Sequence, residues 1–306
     1  MTGSLLISLD CEGKWGMADD PAIVNDERIT LARLRTAYEL ILRTFEENRI
    51  AGTFAVVGLY VAGEQATRDF IRAQSQSEIY SRWLQTPAKS IEDGRTSGWF
   101  FEDLPKWITS TGVHELASHG YSHLPFTSPG FSDVTAHLEL ASMRGLASAE
   151  GWNIESMVFP RNLIAHSDLL ETYGIRRFRM GLNRTRPYRL SRIAALADEF
   201  NVLKMDQCRP NDAREVPAGH FLNWRSGARR LVPSSVTLAR WRHVLVSAEH
   251  SGGVAHLWTH PHNLITGKDQ ADLFVCAMQE AGRYVREGRL ASVTFRGLGS
   301  VGMTHE

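Results

Sequence analysis

Leu5-Leu6-Ile7-Ser8-Leu9-Asp10-Cys11-Glu12 is an apolar run that closes on two carboxylates. Such a run predicts a buried strand, and on a strand successive side chains face opposite sides. Asp10 and Glu12 then share one face, and Cys11 points away from both. A solvated acidic strand end would look similar, but Gly13, Lys14, Trp15 and Gly16 follow at once as a compact turn with a bulky wall. Paired carboxylates in that setting can divide metal ligation and proton abstraction between them.

Working outward, further strands are expected at 52–58, 114–118, 157–159, 176–180, 202–205, 254–258 and 291–295. Helical periodicity intervenes, as at Leu31, Leu34, Tyr38, Ile41, Leu42 and Phe45, and over 134–149, 236–249 and 270–286. Strands alternating with helices favour a parallel sheet or barrel, whose chemistry sits where strands end and loops begin. The polar clusters fall at those ends: His119 and His123 after the third strand, Arg161 and Asn162 after the fourth, and His260, His262 and Asn263 after 254–258. Residues 62–110 break the rhythm with a polar, helix-like stretch carrying Tyr80, Trp83, Trp99, Phe100, Phe101 and Trp107. It is expected to be an insertion after the second strand, serving as a lid or an aromatic platform for a sugar, or with its rings forming a small core of their own.

In His119-Gly-Tyr-Ser-His123, two imidazoles four residues apart can close on one ion. With a carboxylate from Asp10 or Glu12 they make the ligand set of a catalytic zinc or a non-heme iron. Arg161, after Pro160, is placed to hold a base carboxylate ionised through a paired hydrogen bond. Three histidines lie within the eight residues from His256 to Asn263, too many donors for one zinc, so at least one is free for proton transfer.

Composition narrows the classes. The 306 residues carry 34 Lys plus Arg against 34 Asp plus Glu, which argues against binding nucleic acid through charge. No apolar run approaches a membrane span, and the start of the chain reads as a strand and not as a signal peptide. Cys11, Cys208 and Cys276 are odd in number and far apart, so no disulfide framework is expected and a reducing cytoplasm is the simplest location. His114-Glu115-Leu-Ala-Ser118 lacks the second histidine of a zincin, and no Gly-x-Ser-x-Gly of a serine hydrolase occurs.

Several of these segments resemble the polysaccharide deacetylases, also called the NodB-homology or carbohydrate esterase four family. Ser8-Leu-Asp10-Cys-Glu12-Gly-Lys-Trp-Gly16 is similar to the first motif, with the acids separated by one residue where many members have adjacent Asp-Asp. Ala51-Gly-Thr-Phe54 resembles the start of the second strand, and Glu115 to His123 the metal-binding second motif. Phe159-Pro160-Arg161 stands where an arginine-bearing third motif belongs, and Leu257-Trp-Thr-His260-Pro261 resembles the last. Asp206 and Trp224 are candidates for the fourth. The resemblance runs in motif order from about residue 4 to 300 and implies one catalytic domain over 1–306. It implies a distorted (β/α) barrel with about seven strands and the insertion at 62–110. The implied activity is metal-dependent removal of an acetyl group from an N-acetylated amino sugar, with one divalent ion, zinc first and cobalt, nickel or manganese as substitutes. The implied metal ligands are Glu12, His119 and His123; the implied catalytic residues are Asp10 as base, His260 as acid and Arg161. Alternatives are hydrolysis of another C–N bond on the same fold, or a catalytically silent metal- or carbohydrate-binding protein. His166, His256 and His262 receive no role.

Overall fold

A computed structural model describes residues 2–20, 26–181, 199–202 and 213–298. The opening apolar run forms β1 (Gly3–Cys11), the centre of a parallel sheet. Its residues Ile7 to Cys11 pair with β2 (Gly52–Val56), and Ser4 to Leu9 pair on the other side with β8 (Val254–Thr259). β9 (Leu290–Ser292) pairs with the start of β1. The sheet continues from β2 through β3 (Glu115–Ser118), β4 (Ser156–Met157), β5 (Arg177–Arg179) and β6 (Glu215–Val216), while β7 (His220–Phe221) lies beyond β8. Nine parallel strands are described, against about seven expected; β6 and β7 are two residues each, too short for periodicity to register. The strand expected over 202–205 falls, beyond Val202, outside the described residues, as do Asp206 and Cys208.

Helices cover the outer face. α1 (Leu31–Asn48) begins where the Thr30 hydroxyl accepts the Arg33 N–H at 3.3 Å, a cap worth about 1 kcal/mol. α2 (Gly58–Ala73) begins four residues before the segment expected as an insertion at 62–110, which carries α3 (Glu78–Trp83), α4 (Gln85–Glu92) and α5 (Leu104–Thr109). α6 (Asp133–Ala149), α7 (Ser234–Ser251), α8 (Asn263–Thr266) and α9 (Gln270–Arg286) complete the set. None of the described helices is long and apolar enough to cross a membrane.

The insertion's rings do not form a core of their own. Tyr80, Trp83, Trp99, Phe100 and Phe101 are buried in the same apolar cluster as Leu9 and Val56 of the sheet, and Phe101 meets Tyr38 of α1 at 5.5 Å between centroids. Aromatic area of this size is stabilised most where it is continuous with the main core.

The two faces of β1 differ in kind. Leu5, Ile7, Leu9 and Cys11 join the large cluster beneath the helices. Leu6 faces inward with Ala55, Ala117, Val158, Val216 and Phe295, and above it Ser8, Asp10 and Glu12 continue the same face. The curled sheet therefore encloses an apolar floor and a polar upper half. The floor is sealed by the segment after β9: Phe295 N–H donates to Thr53 Oγ1 at 3.0 Å and Arg296 N–H to Glu115 Oε2 at 2.9 Å. Buried Glu115 also accepts from Ser156 Oγ at 2.6 Å.

His114, just before β3, packs against Phe45 and Phe54 and accepts the Gly52 N–H on Nδ1 at 3.2 Å. Burial lowers its pKa from 6.5 to about 4. Between those values the unfolded chain binds the extra proton, so folding stability should fall as pH drops through that window. His114→Gln, which keeps an acceptor and does not titrate, should lose less stability than the parent between pH 7 and about 4.5 in urea unfolding; an identical loss in both would refute this account.

Candidate metal centre and active site

The polar groups expected at strand ends do converge at the C-terminal edge of the sheet. Glu12 follows β1 and turns sharply: its C=O accepts the Trp15 N–H at 2.8 Å, and Gly13 adopts φ 51°. Lys14 N–H donates to Gly98 O, and the Trp15 indole donates to Trp99 O at 2.8 Å, so the insertion clamps this turn. A Cβ at Gly16 would overlap the Glu12 carboxylate and displace it from its present position.

His119 follows β3 and His123 closes the next turn at φ 61°. Buried Glu139 of α6 holds that turn: its Oε2 accepts the N–H groups of Tyr121 at 2.8 Å and Ser122 at 2.9 Å, and its Oε1 accepts the hydroxyls of Ser122 and Tyr80. Burial raises the Glu139 pKa, against the lowering effect of these hydrogen bonds. From α3, the Trp83 indole donates to Ser122 O at 2.9 Å and its ring stacks on His123 at 6.3 Å.

Glu12 Oε2 lies 3.2 Å from His119 Nε2 and 2.9 Å from His123 Nε2, and the two Nε2 atoms are 3.2 Å apart. His119 Nδ1 donates to Val158 O at 2.8 Å, so a neutral His119 presents a bare Nε2. These atoms face one another in a buried space, where either a proton shared from an imidazole Nε2 or a cation between them satisfies the set. Ligands at about 2.0–2.2 Å in a tetrahedron stand about 3.3 Å apart, close to these separations. The residues fit a divalent ion, and the nitrogen–nitrogen–oxygen set suits zinc. Burial opposes charge on Glu12, yet His260, His123 and His119 around it hold its pKa well below the usual range.

Asp10, on the same face of β1, stands apart from this trio. Its two oxygens accept Arg179 Nη1 at 2.8 Å and Nη2 at 2.6 Å, and burial is again outweighed, chiefly by Arg179, so its pKa is lowered. The paired hydrogen bond expected from Arg161 is thus made by Arg179. Arg161 points elsewhere: its guanidinium pairs with Asp19 and lies 5.4 Å from the Trp83 ring centroid. The reason is backbone geometry. Arg161 and Asn162 both hold positive φ, 59° and 57°, which turns the Arg161 side chain outward and brings Asn162 inward. Asn162 Oδ1 accepts from Arg179 Nη2 at 2.7 Å and Nε at 3.1 Å.

His260, beyond β8, places Nε2 3.4 Å from Glu12 Oε1 and 3.8 Å from Asp10 Oδ2. Its neighbour His262 is buried, its Nδ1 has no partner among the described residues, and burial followed by the charge on His260 lowers its pKa to about 3. Trp224, a candidate for the fourth motif, packs edge-on to His262 and donates its indole N–H to Thr266. His166 pairs with Asp133 at 2.8 Å, away from the centre.

No protein-family model matches the sequence, and a search of curated proteins gave no match. The fold is shared with a protein from Mycobacterium smegmatis provisionally described as a polysaccharide deacetylase, at 16% identity and a TM-score of 0.54, over 95% of this chain and 92% of that one. A looser likeness joins it to the Xyl-CE4 domain of a multidomain xylanase from the hindgut metagenome of Trinervitermes trinervoides, at 10% identity and a TM-score of 0.44, over 98% and 91%. Likeness at such identity speaks to the fold, which is the one the motif resemblance implied.

The two arginines should separate in stability. Arg179→Met leaves a buried, uncompensated Asp10 charge and should cost about 3–5 kcal/mol. Arg161→Met, in a half-exposed pair with Asp19, should cost less than about 1 kcal/mol. Denaturant unfolding at neutral pH reads both, and equal losses would contradict the placement of Arg179.

Proposed function

We propose that this protein hydrolyses the N-acetyl group of an amino sugar with the help of one divalent ion, zinc first. The observation that carries this reading is the arrangement around Glu12: a ligand trio with His119 and His123 on one side, and Asp10 and His260 on the other, within 4 Å of one another. The shared fold with a protein described as a polysaccharide deacetylase supports it.

An ion held by Glu12, His119 and His123 supplies Lewis-acid polarisation of the acetyl carbonyl and of the attacking water. Asp10, kept ionised and aimed by Arg179, accepts the proton of that water. His260 gives a proton to the departing nitrogen, a step amide hydrolysis needs because an amide anion is a very poor leaving group. His262, held neutral by burial, lacks the imidazolium proton that a general acid gives. Trp83 stacked on His123 and Trp15 behind Glu12 fix the ligands and exclude bulk water.

Acetate release from N-acetylated sugars should stop with a chelator and return with zinc, cobalt, nickel or manganese; chelator-insensitive release would end the metal-dependent reading. Elemental analysis should find one ion per chain, lost in His119→Ala with His123→Ala and weakened in Glu12→Gln. Asp10→Asn should keep the ion and lose roughly 10²–10⁴ in rate. An Asp10→Asn protein that loses its metal instead would exchange the two carboxylate roles. His260→Ala should retain metal and substrate and lose kcat on amides, while an ester, whose leaving group needs less protonation, suffers much less. Equal loss on both would transfer the acid role away from His260.

A further inference from the structure

Behind Arg179 lies a buried chain of hydrogen bonds that none of the roles above uses. His256 of β8 is 2% exposed, Ser8 of β1 is fully buried, and both lie on the inward face of the sheet beneath Asp10. His256 Nδ1 stands 2.6 Å from Pro217 O, its Nε2 stands 2.9 Å from Ser8 Oγ, and Arg179 Nη1 donates to the same Ser8 Oγ at 3.1 Å. The direction of every bond follows from chemistry. A carbonyl oxygen can only accept, so His256 carries its proton on Nδ1. The bare Nε2 then accepts the Ser8 hydroxyl proton, and that leaves the Ser8 lone pairs turned toward the guanidinium. Arg179 has no acceptor of its own and must be surrounded by acceptors, which are here Asp10, Asn162 and Ser8. Its charged face also lies 4.3 Å from the Trp258 ring centroid.

We infer that His256 is a positioning residue: as a neutral Nδ1–H tautomer it fixes the Ser8 hydroxyl, and through it the register of Arg179 against Asp10. Burial, and next the charge on Arg179, lowers its pKa from 6.5 to about 3, which keeps the ring neutral throughout the range in which the protein would work. A protonated ring would point a second N–H at Ser8, turn the hydroxyl away from its present role, and set two cations against each other. Gly219 packs directly on the ring, where any Cβ would overlap it.

This inference rests on the deacetylase reading for its effect on rate, but its geometry is testable without turnover. Nitrogen-15 NMR of the imidazoles at pH 7 should show His256 as the Nδ1–H tautomer, with its Nε2 resonance displaced in Ser8→Ala. An Nε2–H tautomer, or an Nε2 indifferent to Ser8→Ala, would overturn the chain even if no N-acetyl sugar proves to be a substrate. Where acetate release is measurable, Ser8→Ala and His256→Leu should each lower kcat by about 10–100-fold, the usual cost of removing a supporting hydrogen bond behind an active group. KM and metal content should stay near the parent's. The double variant should be little worse than either single one, because both break the same chain. His256→Gln, with a donor for Pro217 and an acceptor for Ser8, should recover most of the loss. Multiplying losses in the double variant, or a His256→Leu protein that is folded and fully active, would refute the positioning role.

Discussion

Asp10 and Arg179 are both charged and both almost wholly buried, and the rest of the interior is arranged around that pair. A lone carboxylate inside the sheet would not remain ionised at any tolerable cost in free energy. The compensating guanidinium comes from β5, which is separated from β1 by β4, β3 and β2. Only the curl of the sheet brings residues so far apart in strand order face to face. Ala55 and Ala117 line the intervening inner face, and their small side chains leave the space that the two charged groups fill. The pair and the curl thus require each other: a flatter sheet would strand the charge, and an apolar interior of larger residues would expel it.

The same interior explains what could be read from the chain. Apolar runs alternating with helical periodicity located β1, β2, β3, β8, α6, α7 and α9, because each is long enough to show its period. Asp10, Glu12, His119 and His123 were legible as candidates because they sit at the ends of such runs. Arg161 was the natural partner for Asp10 on its position after β4, and positive φ at two successive residues, which no periodicity reveals, handed that partnership to Arg179. A signal for Arg179 did exist. Arg177-Phe178-Arg179 is a strand facing the interior, and a buried strand arginine demands a carboxylate. Ser8 was equally available, since it alternates with Asp10 and Glu12 on one face. Glu139 was not, because a glutamate on the inner side of a helix looks like any other until the turn it caps is known.

The aromatic insertion shows why composition alone misjudges a segment. Its rings suggested a separate core or a sugar platform, yet they are buried against the sheet. Trp99 receives the turn of Glu12 while Trp83 and Tyr80 brace that of His123. The segment between the second and third strands therefore ties together the loops that carry Glu12 and the His119–His123 pair, which are more than a hundred residues apart in sequence.

The difference between the two carboxylates follows from what neutralises each. Both are buried and both have lowered pKa values, so each is ionised and each needs a cation. Arg179 cannot be deprotonated in a protein, so the charge opposite Asp10 is permanent. Around Glu12 the partners are imidazoles, and His119, with Nδ1 donating to a carbonyl, is positive only if a proton is added at Nε2. That proton can be exchanged for another cation without breaking any covalent or strained arrangement. At Asp10 an incoming ion would have to expel a guanidinium held by two oxygens of Asp10, by Asn162 and by Ser8. On the proposed reading an ion would therefore enter at Glu12, where a labile charge already stands, and Asp10 would be left as a fixed, oriented and unligated base. Two residues apart on one strand face, the same chemical group acquires two characters because one neighbour titrates and the other does not.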